Sequence, residues 1–135
     1  MDTNVLIWAL VGHGKPRRLL TALLERHQIV SSLQMLAEFL EVMSRDKFAE
    51  VGRSRLASFL SILVRRTTIV SVKHTRKLIA QDPDDDIVLS TAHKGNASHI
   101  VSGDGHLLGL KRFKGVKIVT VDEMLETLGP RTAAS

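Results

Sequence analysis

The chain has 135 residues, no cysteine, 44% hydrophobic residues and a formal charge of +5. That length supports one domain with a core of its own. The lack of cysteine excludes disulfides and thiolate zinc sites, and no apolar run approaches the roughly 18 residues that a spanning helix needs. Met1-Asp2-Thr3-Asn4 carries an acid where a secretion signal carries Lys or Arg, so a cytoplasmic protein without a membrane association is expected. The basic residues recur along the chain, from Lys15, Arg17, Arg18 and Arg26 through Arg53, Arg55, Arg65 and Arg66 to Lys111, Arg112, Lys114 and Lys117. They suit a polyanion such as RNA as well as ordinary solvated helix faces. Aromatic content is 4% with no Tyr, which speaks against an RNA binder that stacks bases on aromatic platforms.

In chain order, Val5 to Leu10 is apolar and opens a helix or turn. Lys15 to Arg26 reads as a helix, with Pro16 suited to its first turn and Leu19, Leu20, Leu23 and Leu24 on one side. Gln28 to Ser31 is a short strand, and Ser32 caps a helix whose apolar stripe is Leu33, Leu36, Ala37, Leu40 and Met43. Arg53 to Arg65 is a helix facing inward with Leu56, Phe59, Leu60 and Leu63. Thr68 to Val72 is a β-branched strand and Thr75 to Ala80 a short helix. Asp82-Pro83-Asp84-Asp85 turns into a helix running from about Asp86 to Lys94. Ser98 to Ser102 is a strand, Gly103-Asp104-Gly105 a turn, and His106 to Leu110 a short helical segment. Val116 to Val121 is the last strand, and Asp122 caps a helix to Leu128. This alternation predicts an α/β domain with a mostly parallel sheet covered on both faces, its core including Val5, Leu6, Leu36, Val88, Ala92, Ile100 and Val119. Residues 1–128 form the single domain expected, and 129–135 a loose tail. Ligands of such sheets sit beyond the carboxyl ends of the strands.

That rule singles out four acids. Asp2 precedes an apolar run, Glu38 lies within a core-facing helix, Asp85 starts a helix, and Asp104 follows the strand Ile100-Val101-Ser102. Singly, Asp85 reads as a cap and Asp104 as a turn former. Glu38 needs a partner or a route to the surface. Together, carboxylates converging on one sheet edge stay charged when divalent cations share them. Oxygen donors with no thiol suit Mg²⁺ or Mn²⁺, and such an ion can activate water and orient a phosphate.

The opening Asp2-Thr3-Asn4-Val5-Leu6 resembles the first motif of PIN domains. The helix from Ser32 to Val42, with its acid at Glu38, is similar to their second. Asp82-Pro83-Asp84-Asp85-Asp86 with Ala92 resembles their third, and the segment from His99 to Leu108, with Asp104, their fourth. The four occur in family order and spacing over essentially the whole chain. The nearest likeness is to the toxin components of toxin–antitoxin systems, the VapC-like ribonucleases. The resemblance implies a three-layer α/β/α sandwich and a ribonuclease that hydrolyses RNA with a metal-activated water. Asp2, Glu38, Asp85 and Asp104 would hold Mg²⁺ or Mn²⁺. Asn4 would support the first acid, Ser102 would steady the fourth, and Asp86 would substitute for Asp85 or stand behind it. It also implies a cognate antitoxin and allows a homodimer. In one respect the chain departs from the family, which has several apolar residues ahead of the first Asp as a central first strand. Here only Met1 precedes Asp2: either the natural start lies upstream of this Met, or the chain lacks that strand, in which case its two neighbours are expected to lie unpaired along their facing edges.

Other patterns fall away. Gly12-His13-Gly14-Lys15 lacks the first Gly and the closing Ser or Thr of a phosphate loop. Asp82, Asp84 and Asp86 mimic calcium ligands, but Ile87 and His93 stand where Gly and Glu are needed. His93, His99 and His106 match no common zinc spacing, and exposed or supporting roles are expected of them. Trp8 is expected in core or interface packing rather than as a base-stacking platform. Two other functions compete with the ribonuclease: a PIN-fold module that binds RNA or protein without catalysis, and a phospho-receiver, whose acids would fall elsewhere.

Overall fold

Nine residues after Asp2, nearly all apolar, close the first helix, α1 (Thr3–Val11), which buries Thr3, Val5, Leu6, Ile7, Ala9 and Leu10. A helix apolar nearly all round belongs in a core, and α1 packs against both α2 (Lys15–Arg26) and α3 (Leu33–Met43). The computed structural model describes residues 1–12, 14–72 and 83–129, with side chains described from 85 onward in the last stretch. The expected helix Thr75 to Ala80, the turn at Asp82 and the tail from Pro130 to Ser135 lie outside them.

The remaining elements are β1 (Ile29–Ser32), a 3-10 helix (Asp46–Val51), α4 (Arg53–Arg65) and β2 (Thr67–Val70). They are followed by α5 (Pro83–Lys94), β3 (His99–Val101), α6 (Gly105–Leu110), β4 (Arg112–Phe113), β5 (Val116–Val119) and α7 (Val121–Leu128). The strand β4 and the 3-10 helix carry no alternation long enough to be seen in the sequence. Ser32 caps α3 as expected, accepting from the Met35 amide. At α7 the expectation fails by two residues: Thr120, not Asp122, is the cap, in a reciprocal capping box with Glu123.

The strands form two ladders. In one, β1 pairs parallel with β2, Ile29 opposite Thr67 and Ser32 opposite Val70. In the other, β5 lies between β3 and β4, parallel to β3 and antiparallel to β4. No ladder joins β1 to β3 among the described residues. One rung of a joining strand is present, for the Asp2 amide donates to the Val101 carbonyl at 2.9 Å. Along the rest of the seam is a cleft of about 310 Å³ lined by Met1, Ile29, Val30, His99, Ile100 and Val101 among others.

Helices cover both faces. Alternate residues of β3 point to opposite sides: Ile100 joins Val88, Leu89, Ala92, Leu107, Val116 and Ile118 under α5 and α6, while Val101 joins the core of α1, α2, α3 and α4. The result is the expected three-layer α/β/α arrangement. α5 packs on both β1 and β3 and so splints the seam. The core reading holds for Val5, Leu6, Leu36, Val88, Ala92 and Ile100, but Val119 is only half-buried. The stripe read for α3 is shifted: Met35, Leu36, Phe39 and Met43 are buried, whereas Leu33 is 64% exposed and Ala37 and Leu40 are also outside. The shift arises because α3 touches two cores, with Met35 in one and Leu36, Phe39 and Met43 in the other.

Candidate metal centre

The carboxyl end of β3 organises the acids. After Val101 the chain continues extended to Ser102, whose amide donates to the Val119 carbonyl at 3.0 Å. Ser102 is 1% exposed. Its hydroxyl donates to Asp2 Oδ2 at 2.7 Å and accepts the Asp104 amide at 3.0 Å. One buried hydroxyl thus holds the first acid through its side chain and the fourth through its backbone. Asp2 is the N-terminal flank of α1 but makes no side-chain cap bond there, so its carboxylate is oriented by Ser102 instead. Asp104 caps α6, its Oδ1 accepting the His106 amide at 2.7 Å. That capping fixes the His106 backbone at the second position of the helix.

Asp85 arrives from the first turn of α5, where a carboxylate is favoured by the helix dipole. It is 5% exposed, and Asp86 beside it is buried too. α5 is held to the end of β1 by a buried hydrogen bond of 3.0 Å from Thr91 Oγ1 to Ser32 Oγ. Asp85, Asp104 and His106 each offer one ligand atom, and these atoms lie within 4.8 Å of one another. Two carboxylates and an imidazole are a donor set that fits a small divalent cation. Asp2 and Glu38 stand outside this trio. Asp2 is half-buried at the same strand end, and Glu38 is half-buried on α3, the helix that leaves the neighbouring strand β1. Asn4 is exposed on α1, and the hydroxyl that reaches Asp2 is that of Ser102.

His106 was legible only as one of three histidines with no zinc spacing. Its association with the acids depends on the Asp104 cap, and Asp104 to His106 is a two-residue offset that a search for histidine pairs passes over. None of Asp2, Glu38, Asp85 and Asp104 lines the seam cleft. The cleft runs along Ile29 and Val30 of β1 and the whole of β3, from His99 to Val101. Met1 closes part of it, and burial there holds the Met1 ammonium below its ordinary pKa, with the neighbouring Asp2 carboxylate pulling the other way. No described helix is long and apolar enough to cross a membrane.

The sequence matches a family model described as PIN domain over residues 1–106. No curated protein matches the chain. Among solved structures, the fold is similar to a chain in the crystal structure of VapBC2 from Rickettsia felis bound to a DNA fragment from their promoter. The likeness has a TM-score of 0.59 and 23% identity, and covers 88% of this chain and 95% of that one. At that identity it speaks for the fold.

Proposed function

The chain belongs to the PIN domain family, and on that premise we propose that it is a metal-dependent endoribonuclease, the toxin of a toxin–antitoxin pair. The observation that carries this reading is the convergence of Asp85, Asp104 and His106 within 4.8 Å at the carboxyl end of β3. In this reading those residues hold Mn²⁺ or Mg²⁺, with Asp2 and Glu38 completing the acid set from either side. When bound, the cation supplies positive charge at the scissile phosphate and a water acidified for attack. The protein's own part is orientation. Ser102 aims the Asp2 carboxylate, the α6 cap fixes Asp104, and Asp86 stands behind Asp85 as a supporting acid. The excess of Lys and Arg over Asp and Glu, 19 against 14, attracts the RNA backbone. Asn4, exposed in the first turn of α1, is placed to meet substrate or support the first acid.

The partners follow from the same reading: an RNA substrate, a cognate antitoxin covering the acidic site, and a second copy in a homodimer. The VapBC2 neighbour, a complex solved with promoter DNA, supports a search for the antitoxin. A cytoplasmic site of action and a single domain over residues 1–128 belong to this proposal as well.

The test is cleavage of a broad RNA panel by purified protein with Mn²⁺, with Mg²⁺ and with EDTA. Cleavage is expected with metal only, and Asp104→Asn is expected to lower it by about two orders of magnitude or more. A folded protein that cuts nothing in the panel sinks the reading. The second reading, a non-catalytic module that binds RNA or protein, draws support from the open seam beside Asp2, which leaves the first acid on a single backbone rung. Tight cation binding at the acids, followed by Mn²⁺ titration, counts against it.

A further inference from the structure

Trp8 was expected in core or interface packing, and at 51% exposed it does not belong to the core. Its helix is otherwise a core element, with Val5, Leu6, Ile7, Ala9 and Leu10 all buried. The exposed stripe of α1 is Asn4, Trp8 and Val11, spaced as residues sharing one helix face. An indole left half in water forgoes much of the stabilisation its burial would supply. Trp8 is also the exposed member of the chain's aromatic set, for Phe39 is buried and Phe48, Phe59 and Phe113 are half-buried.

The ring does not project into empty solvent. Its Cζ3 and Cη2 atoms lie 3.4 and 3.5 Å from the point where a side chain on Gly103 would begin. Gly103 joins Ser102, which holds Asp2, to Asp104, which belongs to the acid–imidazole trio. The benzo edge of the indole therefore faces the side of Gly103 where a side chain would stand, one residue from Asp104 and about 3.8 Å from it along the chain. A Cβ at position 103 would meet the ring in ordinary van der Waals contact.

Away from a bound cation, phosphates approaching this edge of the sheet meet negative carboxylates. A nucleobase does not carry that penalty, and every base has a π-face that stacks on an indole. We propose that Trp8 is a stacking platform for one nucleobase of single-stranded RNA, seated on Gly103 beside the acids. The Asn4 amide, one turn earlier on the same stripe, is placed to hydrogen-bond the edge of that base. This subsite deepens the ribonuclease reading and rests on it for the identity of the ligand.

The chain has one Trp and no Tyr, so its ultraviolet-excited fluorescence reports this ring alone. The experiment titrates the full chain in EDTA, where cleavage is stopped, with an eight-nucleotide oligoadenylate. An abasic oligonucleotide of equal length and charge serves as the comparison. The expected result is saturable quenching by oligoadenylate and little by the abasic strand. Trp8→Ala, followed by fluorescence anisotropy of labelled RNA, is expected to weaken binding by about ten-fold, and Trp8→Phe by less. Circular dichroism checks that both variants fold. Equal quenching by the abasic strand, or unaltered RNA affinity in folded Trp8→Ala, overturns the proposal. So does a blue shift on raising protein concentration without RNA, which would assign the ring to a contact between copies. The two readings fail separately: stacking without any cleavage under Mn²⁺ sinks the hydrolase alone, and cleavage without base-dependent quenching sinks the platform alone.

Discussion

A hydroxyl has one proton to donate, and Ser102 gives it to the Asp2 carboxylate at 2.7 Å while accepting the Asp104 amide. Removing that oxygen leaves a carboxylate short of a donor and a partly buried amide short of an acceptor. Ser102→Ala is therefore expected to lower stability by about 1–3 kcal/mol, read from urea denaturation. An unchanged midpoint would show that water replaces the hydroxyl at no cost. This scale was the most readable in the sequence for Asp104 and Ser102, because both follow a β-branched strand directly and their positions depend on a few bonds nearby. It was least readable for Trp8 and His106. An aromatic residue in an apolar run gives no sign that its face turns outward. A histidine two residues after a capping Asp shows its neighbours only once α5 has brought Asp85 to it from outside that stretch of chain.

At the level of elements, the close approach of α5 to β1 is set by a missing side chain. Gly95 follows the last turn of α5, and a Cβ there would fall 2.2 Å from Val30 Cγ1 and within 3.2 Å of the rest of that side chain. Valine is stiff at χ1 and cannot swing aside. Gly95→Ala is expected to destabilise by about 1–3 kcal/mol through overpacking, and Val30→Ala in the same chain is expected to recover part of that loss. Thermal melts of the two singles and the double complete the cycle, and additive effects would refute the contact. Helix bounds were readable from the sequence, α2 and α4 to the residue, because their apolar spacing runs three turns and their flanks carry Gly or a polar break. The α3 stripe was misread because two cores share the helix, and a single-face pattern cannot describe it. β4, two residues long, exists only through its pairing with β5.

For the molecule as a whole, the seam between the ladders ties stability to pH. The Met1 ammonium is held below its ordinary value near 8 by burial. The unfolded chain, whose amino group keeps the ordinary pKa, then binds more protons than the folded one between the lowered pKa and about pH 8. Stability consequently rises with pH across that window and levels off above it. Denaturation midpoints from pH 6 to 9 are expected to show this slope, and acetylation of the amino group is expected to flatten it. A slope that survives acetylation would place its origin elsewhere. The layered architecture was legible because strand and helix patterns alternate. How α5 bridges the seam was not, since that depends on a glycine meeting a valine 65 positions away in the chain. A continuous sheet resists shear through its hydrogen bonds, whereas among the described residues β1 and β3 share no ladder and are bridged by the packing of α5 on both. Sliding along their common axis breaks no bond within either ladder and is opposed by the α5 splint. Because Glu38 travels with β1 and Asp104 with β3, that glide changes the spacing between them while leaving each ladder whole.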